Sequence, residues 1–245
     1  MKNYQAPKNL LQDRVVLVTG AGQGIGRTAA LAFAAHGATV ILHGRNVAKL
    51  EAVYDEIEAA GGPQAAIFPL DLYSAEEKDY ESFAGGIRGQ LGRLDGILHN
   101  AAHLDTLHTL ESHSLEQWQA SIKVNLLAPF ALTRACLPLL KAAPDASVVM
   151  TSETHGHTPA AFWGSFAVSM AGVETMVKMW AQELELYPNL RLNAIVPGAV
   201  QSPQRTKTHP GEVKESLPEP ESLMPQYLYL MGGDSRGVSG QIVVC

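Results

Sequence analysis

Thr19-Gly20-Ala21-Gly22-Gln23-Gly24-Ile25-Gly26 stands between an apolar run at 14–18 and an Ala-rich stretch at 25–36 that stops at Gly37. The run Val15-Val16-Leu17-Val18 does not alternate with polar residues, as expected of a strand buried on both faces. The glycine spacing is Gly-x-x-x-Gly-x-Gly rather than the commoner Gly-x-Gly-x-x-Gly. The physics is shared. Glycines let the backbone turn sharply and approach a pyrophosphate, while the helix N-terminus offers unpaired N–H groups and the positive end of a dipole. A strand, this turn and a helix in that order point to a dinucleotide-binding α/β fold.

The same rhythm continues outward from the turn. Runs at 38–42, 64–70, 95–99, 147–151, 190–196 and 241–244 read as strands. Helices are expected at 46–60, at 74–91 with Ser74 as the cap, and at 115–141, 163–187 and 222–231. The alternation predicts one domain over 1–245, a Rossmann-type doubly wound sheet of seven mostly parallel strands with helices on both faces. The segment 199–221 carries Pro203, Pro210, Pro218 and Pro220 and is expected to be an irregular, substrate-side lid.

Composition narrows the classes. Of 245 residues, 46% are hydrophobic and 17% charged, enough apolar material for a sizeable core and too little charge for a disordered chain. The net charge is −6 with no basic run, which argues against nucleic acid and against an anionic membrane surface. The two cysteines, Cys136 and Cys245, make no Cys-x-x-Cys, so a disulfide framework is not expected and a reducing compartment fits. Residues 1–7 are polar, no signal-like apolar stretch follows, and no apolar segment runs uninterrupted for 18 residues; a cytoplasmic location is expected.

The second strand ends in Leu42-His43-Gly44-Arg45-Asn46. An acid at this point would bind the ribose 2′-OH of NAD. Arg45 instead offers a planar guanidinium suited to a 2′-phosphate, so NADP(H) is expected in preference to NAD(H).

With these residues in place the chain resembles the short-chain dehydrogenase/reductase family over nearly its whole length. Thr19 to Gly26 resembles that family's cofactor turn. Asp71-Leu72 follows the third strand, where the family's Asp meets adenine, and Leu98-His99-Asn100-Ala101-Ala102 resembles its Asn-Ala-Gly stretch with Ala in the last place. Pro197-Gly198 matches a Pro-Gly turn after the sixth strand, with Ser202 where Thr is usual, and Asn125 in Val124-Asn125-Leu126 matches the family's helix Asn. The resemblance implies a cofactor site of Gly20, Gln23, Gly24, Ile25, Gly26, Arg45, Asp71, Leu72, Asn100, Ala101, Pro197 and Gly198. It also implies a homodimer or homotetramer, through the helices at about 115–141 and 163–187.

The family's chemistry depends on Ser, Tyr and Lys, the last two spaced Tyr-x-x-x-Lys. In Trp163-Gly164-Ser165-Phe166-Ala167-Val168-Ser169-Met170-Ala171-Gly172, counting from Ala171-Gly172 puts Phe166 at the Tyr position and Met170 at the Lys position. With Gly156 as the loop marker, Glu153 takes the Ser position, with Thr151, Ser152 and Thr154 nearby. A Tyr of ordinary pKa about 10 needs a neighbouring ammonium to serve near neutrality. Phe166 has no hydroxyl, Met170 has no charge, and an ionised Glu153 repels an oxyanion. Among these catalytic positions only Asn125 keeps the family residue.

The expectation is an NADP(H)-binding oxidoreductase-like protein with ordinary carbonyl reduction absent or very weak. One alternative is a cofactor-binding sensor or regulatory partner of an active paralogue. Another is an oxidoreductase whose acid/base site is rebuilt on Glu153 or His155. A subunit that binds no dinucleotide is opposed by the glycine turn, Arg45, Asp71 and Asn100. The substrate or small-molecule ligand has no readable code. Nine histidines are present, and His103, His108, His113, His155 and His157 are expected near one cleft, without any metal-binding spacing on a helix. Phe162 and Trp163 are expected to wall that cleft or to pack on the next helix.

Overall fold

The computed structural model describes residues 3–245, so the first two of the polar residues 1–7 lie outside it. Seven strands form one sheet: β1 (Val15–Thr19), β2 (Thr39–Gly44), β3 (Ala66–Pro69), β4 (Gly96–His99), β5 (Ala146–Thr151), β6 (Leu190–Val196) and β7 (Ile242–Val244). Their order is β3-β2-β1-β4-β5-β6-β7, and every neighbouring pair is parallel. The strand order reverses between β1 and β4, and at such a switch point the crossovers leave a crevice beyond the carboxyl ends of the strands.

The apolar runs are continuous because each face of the sheet is covered. Val16, Val18, Val40 and Leu42 pack on one side, in a core shared with α1 (Gly24–Ala35), α2 (Val47–Ala59) and α8 (Met224–Met231). Val15, Leu17, Ile41, Ile97 and Val148 pack on the other, with α3 (Glu77–Leu91), α5 (Ala128–Ala142) and α6 (Gly164–Glu183). Each such side chain contributes about 1.5–3 kcal/mol by leaving water. At the opposite edge from the crevice, Asp145 gathers Arg14, Arg191 and Arg236. Burial alone would raise its pKa, but the hydrogen bond and charge of Arg191, with Arg14 and Arg236, hold the carboxyl below its ordinary value.

Several local expectations are corrected. Helix α3 begins at Glu77, not beside Ser74: Glu76 and Asp79 form a reciprocal capping box, while Ser74 belongs to a turn closed on the Asp71 carbonyl. The long helix runs from α4 (Leu115–Ile122) into α5 through a π-helical turn, Lys123–Leu127, which carries Asn125. By length and composition Leu115–Ala142 could cross a membrane; here it packs against α3 and α6. Segment 199–221 is not irregular throughout. Ser202 accepts the Arg205 N–H and caps α7 (Pro203–Thr208), Pro203 occupying the first turn, where a missing N–H costs nothing. Single 3₁₀ turns follow at Lys214–Ser216 and Pro220–Leu223.

Candidate functional site

A cleft of about 1040 Å³ opens at the carboxyl ends of the strands, with the glycine turn in its wall. Gly20 has φ +69°, and a Cβ on it would sit 3.0 Å from the Ala101 Cα. A Cβ on Gly26 would lie 2.3 Å from the Gly20 carbonyl oxygen and 2.7 Å from the Asn100 Nδ2. The Thr19 hydroxyl oxygen accepts the N–H of Asn100 (3.0 Å) and of Ala101 (3.1 Å), fastening the end of β4 to the turn. No side chain caps α1 at Gln23 and no acid lies in its first turn, so its N-terminal donors are left for an anion. Gly20, Gln23, Gly24 and Ile25 line the cleft; Gly26 does not, and acts as the close-packed backing of the turn.

One end of the cleft is built on β2 and β3. Arg45 is largely exposed and stands 4.0 Å from the carboxylate of Asp71, with Leu72 beside it. Lys49 lines the same end and donates from Nζ to the Gln23 side chain at 2.6 Å. The sequence reading missed Lys49. Its signal was the cap: Asn46 accepts the Lys49 N–H at 3.1 Å, which brings the third residue of α2 beside the glycine turn. On β2 just before this end, His43 is buried with neither ring nitrogen bonded, its ring edge-on to Phe83 at 5.6 Å. Burial brings its pKa down to about 4. Burial, with the charge of His43, brings that of His99 down to about 3, and His99 Nε2 meets Thr133 Oγ1 at 2.7 Å.

The other end is built on the β5 loop and α6. Phe166 and Met170 are 2% and 3% exposed and pack with Trp163 and Ala167, backed by Leu104 and Leu107. Phe166, Met170, Trp163 and Glu153 all line the cleft. Glu153 Oε2 accepts the His155 N–H at 2.7 Å. Nearby hydroxyls are engaged elsewhere. Ser152 donates to buried Glu174 at 2.7 Å, and Thr151 donates to Asn100 Oδ1 at 3.3 Å. A tyrosine hydroxyl that sequence reasoning overlooked, Tyr227 on α8, reaches Thr151 Oγ1 at 3.1 Å. Tyr227 is wholly buried, and burial raises its pKa above the ordinary tyrosine value, so it holds its proton. Pro197 and Gly198 complete the wall near α7.

Asn125 does not line the cleft. Its Oδ1 accepts the His103 N–H at 2.7 Å, and its Nδ2 donates to the His103 carbonyl and to Ser169 Oγ, each at 3.0 Å. It thereby ties the loop after β4 to α6 one residue before Met170. The five histidines do not converge as expected. Only His103 lines the cleft, 3.2 Å from Asp105. His108 and His113 meet edge to face at 4.8 Å, and His113 presses so closely on Gly164 that a Cβ there would lie 2.5 Å from its ring. His155 stacks on Trp163 at 4.2 Å, and His157 donates to Glu174 at 3.1 Å. Their rings turn to different partners, His103 to Asp105, His108 and His113 to each other, His155 to Trp163 and His157 to Glu174, because loop spacing does not set ring direction. Phe162 points to solvent, whereas Trp163 walls the cleft. Among the described residues no three His, Cys, Asp or Glu side chains gather as metal ligands.

The profile of short chain dehydrogenases matches residues 14–212. The chain belongs to the short-chain dehydrogenase family. Within it, the chain is 41% identical over 238 residues to the uncharacterized oxidoreductase YciK of Escherichia coli K12, covering 97% of this chain and 94% of that one. Among solved structures, a short chain dehydrogenase of Shigella flexneri 2a complexed with NADP superimposes with a TM-score of 0.94 at 39% identity, covering 97% and 99% of the two chains. One of Escherichia coli CFT073 complexed with NADPH gives 0.94 at 40% identity, covering 97% and 98%. The family's all-parallel sheet and switch-point crevice are thus those described above.

Proposed function

We propose that this chain binds NADP(H) in the cleft and does not carry out ordinary carbonyl reduction, serving as a cofactor-binding sensor or as a regulatory partner of an active paralogue. The cofactor reading is supported by a turn that admits only glycine at Gly20 and Gly26, by the uncapped start of α1, and by Arg45 beside Asp71. It is supported too by relatives of about 40% identity that hold NADP and NADPH. The cofactor, when bound, supplies or accepts a hydride. Arg45 and Lys49 would hold a 2′-phosphate, Asp71 and Leu72 would border adenine, and the first N–H groups of α1 would face the pyrophosphate.

The observation that carries the silent reading is the apolar packing of Phe166 and Met170 against Trp163 where the family places its proton donor and its ammonium. A positioned acid is worth about 10²–10⁴ in rate, and oxyanion stabilisation contributes at least a comparable factor. The test is titration with NADPH and NADH by fluorescence, followed by a screen of carbonyls and alcohols. NADPH binding without turnover is the expected result. Robust turnover that Glu153→Gln abolishes would establish the rebuilt site instead. Glu153, which lines the cleft, is the better candidate for it than His155, which does not. A homodimer or homotetramer in the cytoplasm completes the reading. Leu127 and Phe130 in and after the π turn, with Val168 and Met179 on α6, expose apolar surface suited to a second copy, and light scattering checks it.

A further inference from the structure

We infer that the cleft reads the redox state of its cofactor and holds NADP⁺ more tightly than NADPH. The inference rests on the proposed cofactor reading and deepens it. The two ends of the cleft carry opposite charge. Arg45 and Lys49 line one end, against the single acid Asp71 beside them. Glu153, Asp105 and Glu116 line the other. The cation there, Arg205, also feels the charge of Glu153, but its side-chain hydrogen bonds go to both carboxylate oxygens of Glu212, at 2.6 and 2.9 Å. A 2′-phosphate at Arg45 and a pyrophosphate at the start of α1 leave the nicotinamide one direction to extend, toward Glu153 and Met170.

The oxidised nicotinamide ring bears a positive charge and the reduced ring bears none. A site with the family's Ser and Lys places an ammonium near that ring. Here the same two positions hold one positive charge fewer and one negative charge more, Met170 and Glu153. The walls around them are the ring faces of Trp163 and Phe166, whose centroids are 6.0 Å apart. Aromatic faces attract cations, and the Glu153 carboxylate is only partly exposed, so solvent screens it incompletely. Each of these terms favours NADP⁺ and is indifferent to NADPH. The cofactor's own charge pattern, an anionic phosphate at one end and a cationic ring at the other, matches that of the cleft.

The test is calorimetric titration of the full chain with NADP⁺ and with NADPH at matched ionic strength. NADP⁺ should bind about tenfold tighter, the size expected of one partly screened charge pair. Glu153→Gln, which keeps shape and removes charge, should bring the ratio close to unity. Arg45→Ala should weaken both forms alike and leave the ratio unchanged. NADPH binding as tightly as NADP⁺, or tighter, overturns the inference while the cofactor reading stands. A preference for NADP⁺ that survives Glu153→Gln overturns the assignment to that carboxylate. Failure of both forms to bind overturns the inference and the cofactor reading together.

Discussion

The two ends of the cleft are built by different rules. In the glycine turn and at the β2–β3 end beside it, backbone packs on backbone so tightly at Gly20 and Gly26 that single atoms decide the geometry, and the polar side chains Arg45, Lys49 and Asp71 line the cleft. At the α6 end the framework is also present, held by Asn125 on His103 and Ser169, but the positions of the family's reacting groups carry the acidic Glu153 and the apolar Phe166 and Met170. On the proposed reading, the difference makes holding a cofactor and using it separable properties of this fold. The first resides in the strand ends and the second in three side chains.

The strongest way to break that comparison is to restore the reacting groups. The triple change Glu153→Ser, Phe166→Tyr and Met170→Lys should raise carbonyl reduction by about 10²–10⁴ above background, on any carbonyl the cleft admits. Each single change should gain little, because such groups act as a unit. A triple variant that binds NADPH yet shows no turnover in a spectrophotometric screen would mean that more than these side chains has been lost.

The next largest effect lies at the other end. Gly26→Ala drives a methyl into the Gly20 carbonyl and the Asn100 side chain, so cofactor affinity should fall by about a hundredfold, with several kcal/mol of stability lost to overpacking. Titration and thermal unfolding read both. Arg45→Ala should narrow the preference for NADPH over NADH by about 1–3 kcal/mol, the worth of a charge-assisted hydrogen bond, and equal binding of the two by the unaltered protein would remove Arg45 from the specificity argument.

The smallest effect concerns the strand just beneath Arg45. His43 has a folded pKa of about 4, below its unfolded value, so the unfolded chain takes up the proton first as pH falls. Its contribution to stability is complete near neutrality and drains away between about pH 6.5 and 4, with about 1 kcal/mol gone by about pH 5.5. Melting temperatures measured across this range should drop less steeply in His43→Leu than in the unaltered protein, and identical slopes would contradict the buried neutral state.

The legible parts of the molecule are those that local pattern dictates. Val15 to Val18 and Thr39 to Leu42 announce buried parallel strands, and the glycine turn announces its own sharpness. The Ser202-Pro203 start of α7 was also legible, but it was masked by the prolines that follow. The start of α3 lies beyond Ser74 because Glu76 and Asp79, and not the serine, satisfy each other's backbone donors. A π turn shifts the helical phase by less than the apolar pattern of 115–141 resolves, so Asn125 was placed on a plain helix. Tyr227 meets Thr151 across 76 residues, and no local signal carries such a contact. The histidines illustrate the same limit, since a loop position says which residue is near and not where its ring turns.

The Thr19 hydroxyl has a consequence for how ligand occupancy could be watched. One oxygen takes the amide protons of two successive residues, Asn100 and Ala101, from a neighbouring strand end. Those protons can trade with solvent deuterium only when the seam between β1 and β4 parts at its tip. A molecule bridging the glycine turn and the β4 loop would hold that seam shut. The exchange lifetimes of the two amides therefore form an internal clock for cofactor residence, one that runs whether or not any hydride ever moves.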